Sequence, residues 1–199
     1  MGFSRTDGVL RAFMEILSFL ATLFMIIMVI FTIFSFKAKD QYGSTFAGHR
    51  LFIVLSDSMS ETSKNTDVET HFDAGDIVVA KSLDGDEKYE LEEGDIISFI
   101  STNSDSYDKV LTHMIRSVEY DSNGKVIGYT TYGTATGVDD EAMAKAENVL
   151  GEYSFSIPKL GTLFAFVRTP AGYLSCIFMP FVALICWYGL KIMRILGKI

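Results

Sequence analysis

The 199-residue chain has only two cysteines, Cys176 and Cys186, and both lie in one apolar run near its end. Ten residues apart on a helix, they would be separated by about 15 Å of rise, too far for a mutual disulfide. The stretch from Asp40 to Val167 contains no cysteine, so its core alone must hold it together. Basic side chains are also scarce there: 9 Lys and Arg stand against 23 Asp and Glu, a formal charge of −14. A surface this acidic argues against a nucleic-acid partner and reads as a solvated face. Histidine occurs three times, at His49, His71 and His113. Candidates for a base that titrates near neutrality are therefore few.

Charge is missing altogether from two long runs. Ile16 to Phe36 is 21 residues without a charged side chain, and Thr169 to Leu190 is 22. Roughly 20 apolar residues suffice for a helix to cross the hydrocarbon core, so both runs read as transmembrane helices. The first is too long for the apolar part of a cleaved leader, about 7–15 residues. It also ends in Lys37-Ala38-Lys39-Asp40, a poor cleavage site. The second is too long, and too charged at its exit, for a buried core helix. Lys191, Arg194 and Lys198 follow it, against Arg168 before it, which places the carboxy terminus in the cytoplasm. Two spans then put the amino terminus, with Arg5 and Arg11, on the same side, although Lys37 and Lys39 lie on the opposite one. The expected organisation is a cytoplasmic arm at 1–11, a first span at 12–36, an extracytoplasmic domain at 37–167, a second span at 168–191 and a cytoplasmic tail at 192–199. That is a plasma-membrane protein with two spans and both termini inside.

The outer domain reads as mainly antiparallel β. Lys37 to Arg50 has little periodicity and reads as a linker. Leu51 to Leu55 is an apolar run expected to form a buried strand, followed at once by Ser56-Asp57-Ser58-Met59. A serine just past a buried strand has rigid support and an exposed hydroxyl, as a nucleophile requires. Ser60 to Thr70 is polar and reads as a mobile loop. Gly75-Asp76 and Gly94-Asp95 each open a β-branched apolar run, the grammar of turns that feed strands. Val110 to Tyr120 is followed by Asp121-Ser122-Asn123-Gly124, whose Asn-Gly pair signals a hairpin, and Lys125 to Tyr132 returns as a strand. Asp139 to Asn148 is acidic and Ala-rich and predicts a short helix, capped by Asp139 or Asp140. Pro180 predicts a kink in the second span.

Taken in order, these segments resemble the boxes of type I signal peptidases. Ser56-Asp57-Ser58-Met59 after an amino-terminal span resembles the nucleophile box. The two Gly-Asp strands resemble those that follow it in the family. Thr112-His113-Met114-Ile115-Arg116 resembles the general-base box, Gly133 to Asp140 the box that ends in an aspartate, and Ile157-Pro158-Lys159-Leu160-Gly161 the closing segment before a second span. Histidine rather than lysine in the base box is similar to the endoplasmic-reticulum-type branch, which also occurs in archaea and some Gram-positive bacteria. The fold implied is a signal-peptidase-like antiparallel β catalytic domain between two transmembrane helices. The activity implied is serine endopeptidase cleavage of signal peptides from exported preproteins.

By this resemblance Ser58 is the expected nucleophile, His113 its general base and Asp140 the orienting acid, with Asp139 as the neighbouring alternative. Ser56 is the expected oxyanion donor, beside the backbone amide of Ser58; otherwise it is a loop hydroxyl. The chemistry is coherent, because a serine hydroxyl needs an adjacent base and an imidazole with a reference pKa of about 6.5 accepts a proton near pH 7. No cofactor or metal is implied. The partners implied are secretory preproteins and the lipid bilayer; translocon or accessory subunits are left open. Phe52 and Ile53 are candidates for lining the pockets that take small side chains before the cut. Three departures stand out: Ser60-Glu61 where the family usually continues to a proline, Thr134 and Thr136 where it carries an aspartate and an asparagine, and Met114 where many members carry arginine. The alternative reading is a two-span membrane protein that uses the same fold as a non-catalytic binding module.

Overall fold

The computed structural model describes residues 15–16, 18–29, 44–62, 65 and 67–195. The chain forms two compact units, Lys39–Leu163 and a second made of Met1–Ala38 with Phe164–Ile199.

The first unit is one eight-stranded sheet in the order β1-β2-β3-β8-β4-β5-β6-β7, with every neighbouring pair antiparallel. The strands are β1 (Ser44–Phe46), β2 (His49–Ile53), β3 (Ile77–Ser82), β4 (Ile96–Ile100), β5 (Val110–Tyr120), β6 (Val126–Tyr132), β7 (Ala144–Lys145) and β8 (Val149–Ile157). Successive side chains on a strand point to opposite faces, and the central strands bury both. Ile97 and Val149 join Leu83, Phe99, Ile115 and Tyr129 in one core cluster. Their neighbours Ile96 and Leu150 join Phe52, Met59, Phe72 and Val78 in another. Burial on both faces explains why β3 and β4 read as continuous apolar runs rather than as alternation.

The Gly-Asp turns share one local mechanism. Gly75 and Gly94 adopt φ of 92° and 95°, a region closed to most side chains. The carboxylate of each following aspartate then accepts the amide three residues back: Asp73 N–H donates to Asp76 at 2.9 Å and Glu92 N–H to Asp95 at 2.8 Å. Asp76 is buried and also accepts from the Lys159 amide at 2.8 Å, so it ties the start of β3 to the closing segment. A Cβ on Gly75 would stand 2.1 Å from Thr162 Oγ1, so that position has no room for a side chain.

Three expectations are corrected, and one further strand appears. Residues 44–50 are not a linker but part of a hairpin, in which Ala47 and Gly48 turn β1 into β2 with φ of 50° and 79°. Positive φ at both central residues is the two-residue hairpin geometry, and Ala-Gly hides it because alanine rarely adopts that conformation. The strand before the serines ends at Ile53 and is buried on one face only: Phe52 is buried, whereas Leu51, Ile53 and Leu55 are exposed. No helix forms over 139–148. Ala144 and Ala146 are instead buried in the core, in β7 and a 3₁₀ turn (Ala146–Asn148), and the two aspartates bond to other strands. The segment after it forms β8, the strand that joins the two halves of the sheet. Tyr153, Phe155 and Ile157 alternate with serines after Gly151, and the strand pairs with both β3 and β4.

In the second unit, Pro170–Leu190 is a 21-residue helix with mean hydropathy 1.8, long and apolar enough to cross a membrane. It carries a π turn over Leu174–Phe178, just before Pro180, whose ring can donate no amide hydrogen bond to the preceding turn. Ser18–Val29 is a shorter apolar helix, and Ser18 Oγ lies 2.8 Å from Tyr188 Oη. The arm at 1–11, the remainder of the first run and the tail beyond 195 fall outside the described residues. Cys176 and Cys186 are free thiols.

Candidate active site

The turn that carries Ser58 is fixed from both sides. The pairing of β2 with β3 runs past Ile53, because Val54 N–H donates to Asp76 O and Gly75 N–H to Val54 O, each at 2.9 Å. The chain then turns sharply, with Ser60 N–H donating to Asp57 O at 3.1 Å. Asp57 anchors this turn by accepting the Ala74 amide at 2.8 Å. Met59 is fully buried, and Phe72 N–H donates to its carbonyl. The Ser58 carbonyl accepts the Ala135 amide at 2.9 Å. Gly133 passes so close that a Cβ there would stand 2.8 Å from that carbonyl oxygen and 3.0 Å from Ser58 Cβ.

His113 reaches this turn from the middle of β5 and is 8% exposed. Its Nε2 lies 3.0 Å from Ser58 Oγ, and its Nδ1 lies 2.7 Å from Asp140 Oδ2. A carboxylate only accepts, so Nδ1 carries the proton toward Asp140. The neutral ring then presents an unprotonated Nε2 to the Ser58 hydroxyl. Asp140 is held in turn, because its amide donates to Thr131 O at 2.8 Å and Thr131 Oγ1 donates to the same carboxylate oxygen at 2.6 Å. Ser58, His113 and Asp140 thus form one continuous hydrogen-bonded line, with Ser56 Oγ 3.3 Å from Ser58 Oγ at its exposed end. The arrangement can pass the serine proton to the imidazole while the carboxylate stabilises the imidazolium.

The Asp139/Asp140 alternative resolves by alternation. Asp139 bridges to Tyr132, whereas Asp140 bonds to Thr131, so the two side chains leave on opposite faces. Asp140 meets His113, and Asp139 pairs with Arg116. The other histidines lie elsewhere: His49 Nδ1 bonds to the Ala47 carbonyl at 3.1 Å, and His71 Nδ1 is buried with no hydrogen-bond partner among the described residues. Phe52 is part of the core, whereas Ile53 is 38% exposed. Among the described residues no three His, Cys, Asp or Glu side chains are grouped to hold a metal ion.

Several residues of this site escape sequence reasoning. Thr131 is an ordinary strand threonine until its partner is known. Thr134, one of the departures from the family pattern, stands outside the Ser58-His113-Asp140 line. It is buried, its amide and hydroxyl face Met59 Sδ at 3.5 and 3.7 Å, and its Oγ1 accepts from Asn65 Nδ2 at 3.3 Å. Asn65 also bonds to Thr62 and to the Ser60 carbonyl, so it ties the polar loop after Ser58 to the segment that follows β6. No family model matches the sequence, and no curated protein matches it either.

Proposed function

We propose that this protein is a membrane-anchored serine endopeptidase of the type I signal peptidase kind, cutting amino-terminal signal peptides from exported preproteins. The observation that carries the reading is the hydrogen-bonded line from Ser58 through His113 to Asp140. Three side chains 27 and 55 residues apart meet in the order that serine acyl transfer uses.

In this reaction the Ser58 hydroxyl attacks the scissile carbonyl as its proton passes to His113 Nε2. Asp140 holds the ring by Nδ1 and stabilises the imidazolium. The Ser58 amide and Ser56 Oγ donate to the developing oxyanion. His113 then gives its proton to the leaving amine, and water attacks the acyl-enzyme with His113 again acting as base. The position of Thr134 outside this line supports a working site despite the departure from the family pattern.

The reading includes two membrane spans with both termini cytoplasmic and the β domain on the outer face. A substrate that is itself a hydrophobic helix would share the bilayer with the enzyme, which raises their effective concentration and orients the cut. The experiment is cleavage of a preprotein by the reconstituted full chain and by Ser58→Ala and His113→Ala. Both variants are expected to lose processing; processing at the parent rate by either one refutes the catalytic role. The binding-module alternative predicts no cleavage by any of the three.

A further inference from the structure

We infer that Arg116 is a positioning residue, which acts through Asp139 and Gly137 to aim Asp140 at His113; this rests on the protease reading above. Arg116 is the extra residue of a β-bulge: Ile115 pairs with Thr131 and Ser117 with Thr130, leaving Arg116 without a partner opposite. A bulge redirects a side chain and recurs beside active sites. Alternation along β5 sets Arg116 on the face opposite His113, and the bulge falls at that position. There the guanidinium stacks 3.8 Å above the Tyr132 ring, donates from one terminal nitrogen to the Gly137 carbonyl at 3.0 Å, and donates from Nε to Asp139.

These contacts grip the segment that ends in Asp140 by three of its features: the carbonyl of Gly137, the carboxylate of Asp139, and Tyr132, which bridges to Asp139. On the other face, among the described residues, the Asp140 carboxylate is held by His113 and Thr131. Backbone alternation links the two faces. If the Arg116 clamp fixes Asp139 against β6, residue 140 must present its carboxylate to His113. A flat guanidinium does this in a way an ammonium cannot, because it stacks on the ring and donates in two fixed directions at once. The pair is half-exposed, with side chains 41% and 49% accessible, so it adds little to folding and its consequence falls on the site.

The test uses the full-length chain in lipid vesicles, with preprotein cleavage measured from pH 5 to 9 for Arg116→Lys, Arg116→Gln, Asp139→Asn and the Arg116→Gln/Asp139→Asn double variant. The expected result is a fall in kcat of about 10- to 100-fold with KM within about twofold, as a misaimed group produces. Arg116→Lys should recover only part of the loss, and the double variant should be no worse than Arg116→Gln. The acid limb of the profile should also move to lower pH, because a displaced Asp140 stabilises the imidazolium less. Unchanged kcat, or a loss that matches the folded fraction with the acid limb in place, overturns the positioning role. Ser58→Ala is run alongside: if it is inactive while the Arg116 variants behave as the parent, the positioning role alone fails. If Ser58→Ala processes normally, the protease reading fails and the inference with it.

Discussion

Replacing Gly133 by alanine should disable the nucleophile without touching any group that carries charge or protons. The added methyl carbon would lie 2.8 Å from the Ser58 carbonyl oxygen, 3.0 Å from Ser58 Cβ and 3.4 Å from the Ser58 carbonyl carbon. Ordinary contacts begin near the last of these, so one backbone must yield by about half an ångström. The Ser58 carbonyl is also the acceptor for Ala135 N–H, so the strain falls on the link that seats the serine turn against the 133–137 segment. Moving Ser58 by that much stretches its 3.0 Å contact with His113 Nε2 toward the limit of a hydrogen bond. Misplacement approaching 1 Å costs up to about 10²-fold in rate, whereas overpacking costs about 1–3 kcal/mol of stability. The assay is preprotein cleavage beside thermal unfolding. Gly189→Ala serves as the control, because its added Cβ meets nothing within 4 Å. The expected result is a folded Gly133→Ala protein with kcat reduced about 10- to 100-fold and a near-parental Gly189→Ala. Parental kcat in Gly133→Ala would show that the serine turn is not held as described.

Asp140→Asn should cost far more than Asp139→Asn, on the order of 10⁴ against at most 10², because only the former disturbs the His113 tautomer; single-turnover cleavage separates them. Asn65→Ala should destabilise the first unit by about 1–3 kcal/mol through the buried partners it leaves unpaired, and limited proteolysis should then cut within 60–70 sooner than in the parent. Asp121 sits below the usual carboxylate range because the amides of Lys125 and then Asn123 donate to it, and this has a consequence at low pH. A folded-state pKa below the unfolded one gives stability that is present above the ordinary carboxylate value and lost as pH falls through the lowered one. The β5–β6 hairpin should therefore loosen in acid, and Asp121→Asn should remove that share of the acid dependence, read by amide hydrogen exchange of 118–128. If His113 is the base, kcat/KM should fall as pH drops through the imidazole pKa, and a flat profile from pH 5 to 8 would count against it.

Much of this site was readable from the chain because each of its parts lies in a short box of its own, although the parts stand 27 and 55 residues apart. Ser56 to Met59 announces a turn after an apolar run, and His113 stands alone in a strand. What the sequence hid has physical causes. The β1–β2 hairpin turns on Ala47, an alanine in a conformation that its own propensity disfavours. The expected helix at 139–148 lost to tertiary contacts, because Asp139 and Asp140 find Arg116 and His113, and Ala144 and Ala146 find the core. β8 went unforeseen although Tyr153, Phe155 and Ile157 alternate with serines, because Gly151 interrupts the run where a Cβ would stand 2.5 Å from the Lys81 carbonyl. The Arg116 clamp was out of reach, because alternation gives its face but not that Tyr132, Gly137 and Asp139 come back over it.

The most direct measurement is covalent labelling of the full-length protein in vesicles by a serine-directed acylating probe, located by peptide mass. The account predicts stoichiometric label on Ser58, none on Ser56 or Ser60, and labelling slowed by orders of magnitude in His113→Ala. A Ser58 that reacts no faster than the other exposed serines, or that reacts equally well without His113, would contradict it.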